Sequence, residues 1–200
     1  MAQRGAAEVQ RGRRVGYAGA MSRIVIVSGP PGAGKSTVAR RLAAEAPGPL
    51  GLHIHTDDIY TYVHRGYVLP WLPESMHQNV TLMNAMAAQA AVCAKGGYEV
   101  LVDGIVGAWF FEPWLGAART HGLDLRYVML LPDLEQALAR GTARTAPGAM
   151  TDPAVIEQMW RQFRDSAVAA HHVVDTTGQT ADQTVAAVAT GLAAGGFRLA

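Results

Sequence analysis

Nine consecutive residues, Gly29-Pro30-Pro31-Gly32-Ala33-Gly34-Lys35-Ser36-Thr37, combine types that can grip an anion. They fit G-x-x-x-x-G-K-[ST], the pattern of a phosphate-binding loop. The glycines let the backbone curl so that successive N–H groups point at phosphate oxygens. Lys35 brings a compact positive charge to the β and γ phosphates of a nucleotide, and Ser36 offers a hydroxyl to Mg²⁺. A helix starting here turns its positive end toward the same anion. Two acids further along are candidate partners. Asp57, followed by Asp58, closes the run Leu52–Thr56, and Asp103 closes the apolar run before it. A carboxylate so placed can accept the proton of a substrate hydroxyl or hold a water on Mg²⁺. Arg140 and Arg144 stand four apart beside the loop Thr145–Thr151. They are read either as a lid that neutralises charge at a transferring phosphoryl group or as two solvated surface arginines.

These residues need elements to hold them. Arg23–Ser28 is a short β-branched run, as a buried parallel strand should be. Thr37–Glu45 is rich in helix formers, with Val38, Leu42 and Ala46 on one face. After the break Pro47-Gly48-Pro49, Leu52–Thr56 reads as a second strand ending in Asp57-Asp58. In a parallel sheet the carboxyl ends of strands face the ligand crevice, so Asp57 is read as functional and Asp58 as a helix cap. His53 and His55 alternate along that strand and are read as structural. They lack a third ligand at metal spacing, so no zinc site is expected.

Residues 59–75 hold Tyr60, Tyr62, His64, Arg65, Tyr67 and Trp71, with Pro70 and Pro73. They would either line a pocket for a small organic acceptor or pack as an excursion over the sheet edge. Glu74–Lys95 reads as one long helix, with Val80, Met83, Ala87, Ala90 and Ala94 as its core face. Gly96-Gly97 ends it. Glu99–Asp103 is a third strand with the pattern of a Walker B strand, whose acid steadies a Mg²⁺ shell. Gly107–Trp114 begins a helix whose aromatics are expected mostly against the sheet. Asp124–Leu131 is a fourth strand, and a helix runs from Asp133 through Arg140 to Arg144, so that both arginines share a face. Pro153 opens another helix. His171–Asp175 is a fifth strand, followed by Thr176-Thr177-Gly178, read as a plain turn with a border to the adenine as the alternative, and a last helix, Asp182–Ala194.

Composition sets the frame. Of 200 residues, half are hydrophobic and 16% charged, which fits a folded domain and excludes a disordered chain. The net charge is +1 and no basic run occurs in the body, which argues against a nucleic-acid surface. Cys93 is the single cysteine, so there is no intrachain disulfide and no cysteine-based metal site; it is read as a buried thiol. No apolar run reaches the length of a membrane span, and a cytoplasmic protein is expected. Residues 1–20 differ from the rest, with Arg4, Arg11, Arg13 and Arg14 against Glu8 alone. The arginine pair resembles the start of an export signal, but no apolar core follows. The segment is read as a disordered, dispensable basic tail, with a functional arm or a start at Met21 as alternatives.

With these pieces in order, residues 22 to about 190 resemble a small P-loop kinase of the nucleotide, shikimate or gluconate kinase type. The likeness is greatest to the chloramphenicol phosphotransferase-like proteins. It rests on the phosphate loop, Asp57 ending strand two, Asp103 on strand three, Arg140-Gly-Thr-Ala-Arg144 in the place of a lid segment, Glu112-x-Trp114, and Val174-Asp175-Thr176-Thr177 on the last strand. Two departures stand out: the position of a further basic lid residue of the family falls near Pro147 here, and the segment after Asp57 differs in length and aromatic content.

The resemblance implies Asp57 as the base that activates an acceptor hydroxyl. The expected fold is a three-layer P-loop α/β domain over residues 21–200. Five parallel strands stand in the order 2-3-1-4-5 with helices on both faces. Residues 57–97 form the acceptor side and 140–151 the lid. The expected activity is transfer of the γ-phosphoryl group of Mg·ATP to a small-molecule hydroxyl. Lys35 together with Arg140 or Arg144 would hold that group, Ser36 and Asp103 the metal, and residues 29–37 the nucleotide. The alternatives are a nucleoside or nucleotide kinase, a zeta-toxin or polynucleotide-type kinase, and an ATP-binding switch or ATPase.

Overall fold

Every residue of Arg23–Ser28 is buried, which is what a β-branched run in the middle of a parallel sheet requires. The computed structural model describes residues 22–145 and 148–200; the basic segment 1–20 and the loop residues Ala146 and Pro147 lie outside the described residues. Five strands, β1 (Arg23–Ser28), β2 (Gly51–His55), β3 (Glu99–Gly104), β4 (Asp124–Leu131) and β5 (Val173–Asp175), make one sheet. They pair in parallel in the expected order β2-β3-β1-β4-β5. The helices are α1 (Lys35–Ala44), α2 (Met76–Lys95), α3 (Phe111–His121), α4 (Leu134–Thr142), α5 (Pro153–Arg164) and α6 (Ala181–Ala193).

Side chains of β1 alternate between two cores, as the strand period of two dictates. Ile24 and Ile26 pack with α2 residues Met83 and Met86 and with Trp114 of α3. Val25 and Val27 pack with Val38 and Leu42 of α1 and Val185 and Val188 of α6. The sheet is thus covered on both faces, and its carboxyl edge carries the loops that follow β1, β2 and β3. After α6 the chain returns beside β4. Tyr127 N–H donates to the Phe197 carbonyl at 2.8 Å and Leu199 N–H to the Leu125 carbonyl at 2.9 Å. This return covers edge groups that the short β5 leaves open.

Several local expectations shift. α2 begins at Met76, preceded by a single 3₁₀ turn at Pro73–Ser75. Met83, Ala87, Ala90 and Ala94 are buried as read, but Val80 is 39% exposed, and in the first turn of α2 the neighbouring Asn79 is the buried residue. Cys93 is half-buried against the core and not enclosed. α4 ends at Thr142, so Arg144 lies past the helix and shares no helical face with Arg140. His171 and His172 sit in a 3₁₀ turn ahead of β5. Asp57 and Asp58 occupy the first turn of a 3₁₀ helix, Thr56–Tyr62.

Candidate active site

β1 runs straight into the glycine loop, and α1 leaves it. Gly32 has φ +81°, and a Cβ there would come within 2.3 Å of the Ala137 carbonyl oxygen, so the loop packs against α4 only with glycine at that position. Gly34, also left-handed, is the N-cap of α1 and makes no side-chain cap bond, leaving the first amides of the helix without an internal partner. Lys35 folds back over the loop, its Nζ donating to the Pro30 carbonyl at 2.9 Å. Burial lowers the Lys35 amine to about 8; Asp57 and Asp103 oppose that shift and Arg144 adds to it. The two acids and this arginine therefore all act on one amine.

Asp103 is fully buried at the end of β3. Ser36 Oγ donates to its Oδ2 at 2.5 Å. His53 Nε2 donates to Oδ1 at 2.5 Å, and His55 Nδ1 to Oδ2 at 3.1 Å. Burial alone would raise this carboxyl, but the bonds from His53, His55 and Ser36 hold it well below the usual carboxylate range. The other nitrogen of His55, Nε2, stands 3.7 Å from Asp57 Oδ2, so one imidazole lies between the two acids. The hydrogen bond to Asp103 raises His55 against the opposing effect of burial, and Asp57 and Asp58 raise it further. Gly104 makes this closeness possible: a Cβ there would lie 1.7 Å from Thr56 Oγ1, so a larger residue would push the Asp57 turn off β3.

Lys35, Ser36, His55 and Asp57 border one cavity of about 930 Å³, and Asp103 is buried behind them. Its walls include the loop residues Pro31, Gly32 and Gly34–Thr37, then His55, Asp57 and Asp58, and across from them Arg140 and Arg144. Arg140 Nη2 also donates to the Gln179 carbonyl at 3.1 Å, which ties it to the turn after β5. The excursion after Asp57 both packs and lines. Gln78 clamps the Val68 backbone on both sides, at 3.0 and 2.7 Å. Asn79 donates to the Pro70 carbonyl at 2.8 Å and accepts from the Tyr60 hydroxyl at 3.0 Å. So pinned, Tyr60, Tyr67 and Trp71 form cavity wall. Burial raises the Tyr60 hydroxyl to about 12, with Asp57 and Tyr67 adding to it, so it stays protonated as a donor. Of the aromatics after β3, Trp114 is fully buried and Phe110 reaches the cavity.

The sequence-predicted residues Lys35, Ser36, Asp57, Asp103, Arg140 and Arg144 thus meet at one end of the sheet. The histidines were missed. Their signal was present, since two imidazoles at strand spacing share a face and β2 pairs with β3 in the register His55↔Asp103. As for metals, no group of three or more His, Cys, Asp or Glu stands ready to hold one among the described residues. A serine hydroxyl with a buried carboxylate suits a hard cation that takes its remaining oxygens from water and phosphate, as Mg²⁺ does.

Residues 24–168 match the family model described as an AAA domain. No curated protein matches the chain. Among solved structures, the chain resembles a sugar kinase from Janibacter sp. HTCC2649 at 19% identity and a TM-score of 0.61, over 86% of this chain and 94% of that one. It resembles the tunicamycin resistance protein of Deinococcus radiodurans at 16% identity and a TM-score of 0.62, over 85% and 95%. A third is the Mycobacterium tuberculosis APS kinase CysC in complex with AMPPNP and APS, at 18% identity and a TM-score of 0.56, over 86% and 97%. These likenesses carry the fold, that of the small P-loop kinases.

Proposed function

Because this chain belongs to the family of that AAA domain and has the fold of a small P-loop kinase, we propose that it is a phosphotransferase. On this reading it moves the γ-phosphoryl group of ATP to a hydroxyl of a small molecule. One observation carries the reading: Lys35, Ser36 and Asp57 border a single cavity at the carboxyl edge of the sheet, with Asp103 buried behind Ser36 and hydrogen-bonded to it. The loop amides and Lys35 hold the phosphates. Ser36 and Asp103 are the residues that would hold Mg²⁺, and that ion when bound supplies screening of phosphate charge. Asp57 accepts the proton of the acceptor hydroxyl as its oxygen bonds to the γ-phosphorus. The bond from that phosphorus to the β–γ bridging oxygen breaks, and ADP leaves. Arg144, near enough to act on the Lys35 amine, neutralises charge on the moving group, while Arg140, held at the turn after β5, serves the nucleotide side.

Such transfer is mostly positioning and charge neutralisation, so Lys35 matters more than Asp57. In calorimetry, Lys35→Ala should abolish ATP binding in a protein that still folds; unchanged affinity would end the nucleotide reading. A thermal-shift screen of hydroxyl-bearing metabolites and antibiotics with a non-hydrolysable ATP analogue then finds the acceptor. With that acceptor, Asp57→Asn should cut turnover about 10²-fold or more; full turnover would remove the base assignment. ATP consumption that no acceptor stimulates would mark a switch or ATPase instead.

A further inference from the structure

Beside the catalytic cavity lies a second groove of about 1060 Å³, between the excursion after Asp57, the start of α3 and α5. The two share a wall made by Pro70, Trp71, Asn79, Ile105, Phe110 and Met159. That wall offers little polar chemistry. The Asn79 amide is spent on Pro70, Ser75 and Tyr60. Beyond it the groove exposes large apolar side chains side by side: Leu72 at 40%, Met76 at 56% and Trp109 at 43%. Single exposed apolar residues are ordinary, but a cluster marks a contact surface. Trp109 is also held in place. Its ring stands 5.5 Å from that of Phe163 and lies over Gly107, where a Cβ would come within 2.3 Å of it.

Charge narrows the occupant. Among the described residues, the cationic groups on the first cavity are Lys35, His55, Arg140 and Arg144, and none comes from the excursion or α2. In the groove Arg161 is paired with Glu157 at 2.6 Å. A phosphate, sulfate or carboxylate on the acceptor would meet Asp57 and Asp58, while Lys35, Arg140 and Arg144 stand on the loop and lid side that the nucleotide takes.

Resting on the phosphotransferase reading, we infer that the acceptor is an uncharged alcohol with a long apolar body. Its hydroxyl sits at Asp57, and its tail passes Trp71 and Met159 into the groove over Leu72, Met76 and Trp109. The unbranched, adaptable Met159 and Met76 suit a tail of variable shape.

The probe is a series of n-alkyl β-D-glucosides from butyl to octyl, below their micelle concentrations. Binding to the full chain is measured by calorimetry with and without a non-hydrolysable ATP analogue. The dissociation constant should tighten roughly two- to fourfold per added CH₂. Met76→Asp and Trp109→Ala should each erase most of that gain, about tenfold or more at octyl, with affinity for the ATP analogue unchanged. Met76 opens α2 and is exposed, so the acidic variant keeps its fold even if the tryptophan variant does not. Binding that ignores chain length, absence of binding throughout the series, or a length dependence that survives both variants would overturn the inference. So would self-association that Met76→Asp abolishes, since the groove would then hold a second copy. Failure of the ATP analogue alone to bind would instead sink the phosphotransferase reading, with the chain-length series still reporting on the groove.

Discussion

Glu99 and Asp103 stand on one face of β3 at its two ends, and both are buried acids. Glu99 meets a single full cation, Arg23 of β1, and the two close on each other away from the phosphate loop. Asp103 meets a hydroxyl and two imidazoles, each of which also borders, or has a neighbour that borders, the cavity. A carboxylate neutralised by its own guanidinium has little field left for a ligand. One held ionised by hydrogen-bond donors keeps its charge for a cation or for Lys35. On the proposed reading the first arrangement serves the fold and the second serves chemistry, although the strand and the residue class are the same.

The comparison breaks most visibly at Glu99. Glu99→Gln leaves Arg23 buried without a counter-charge and should cost about 3–5 kcal/mol in denaturant unfolding, with nucleotide affinity of the folded protein unchanged. Replacing both partners, Arg23→Met with Glu99→Leu, should recover most of that loss. A single variant as stable as the parent would show that the pair does not hold the strand ends.

Asp103→Asn should do the opposite. Turnover should fall about 10²-fold, because Ser36 and both histidines lose the charge they orient around. The stability loss should be smaller than that of Glu99→Gln, since an amide oxygen still accepts bonds. If the thermal midpoint drops further than in the Glu99 variant, the division between the two ends is wrong.

A pH titration gives a third, smaller effect. The free Lys35 amine loses its proton near 8, whereas bound phosphate would hold that proton on. Above pH 8 binding must take up a proton, so affinity should fall by up to tenfold per pH unit, and below pH 8 it should level off. Calorimetry in buffers of different ionisation heat reads the proton directly; flat affinity from pH 7 to 10 would contradict it. Smallest of all, Asp58→Ala should change stability by no more than about 0.5 kcal/mol, because Asp58 is exposed, and turnover should barely move; a loss as large as that of Asp57→Asn would exchange their roles.

Much of this was legible in one dimension. The phosphate loop and the strand ends at Asp57 and Asp103 follow from local rules, and the strand order from the resemblance to small P-loop kinases. Glycine takes backbone angles that other residues avoid, apolar runs of strand length seek a sheet interior, and crossovers between parallel strands turn one way. Tertiary structure decided the rest. Register set His55 beside Asp103, and the absent side chain of Gly104 let the Asp57 turn close on them. α4 stopped short of Arg144, Gln78 and Asn79 pinned the aromatic excursion, and a shared wall joined two cavities. Each of these joins residues far apart in the chain, and each turns on the shift of a strand by one residue or the room for one methyl group. Composition and periodicity carry no trace of such distances, so only the folded chain could set them.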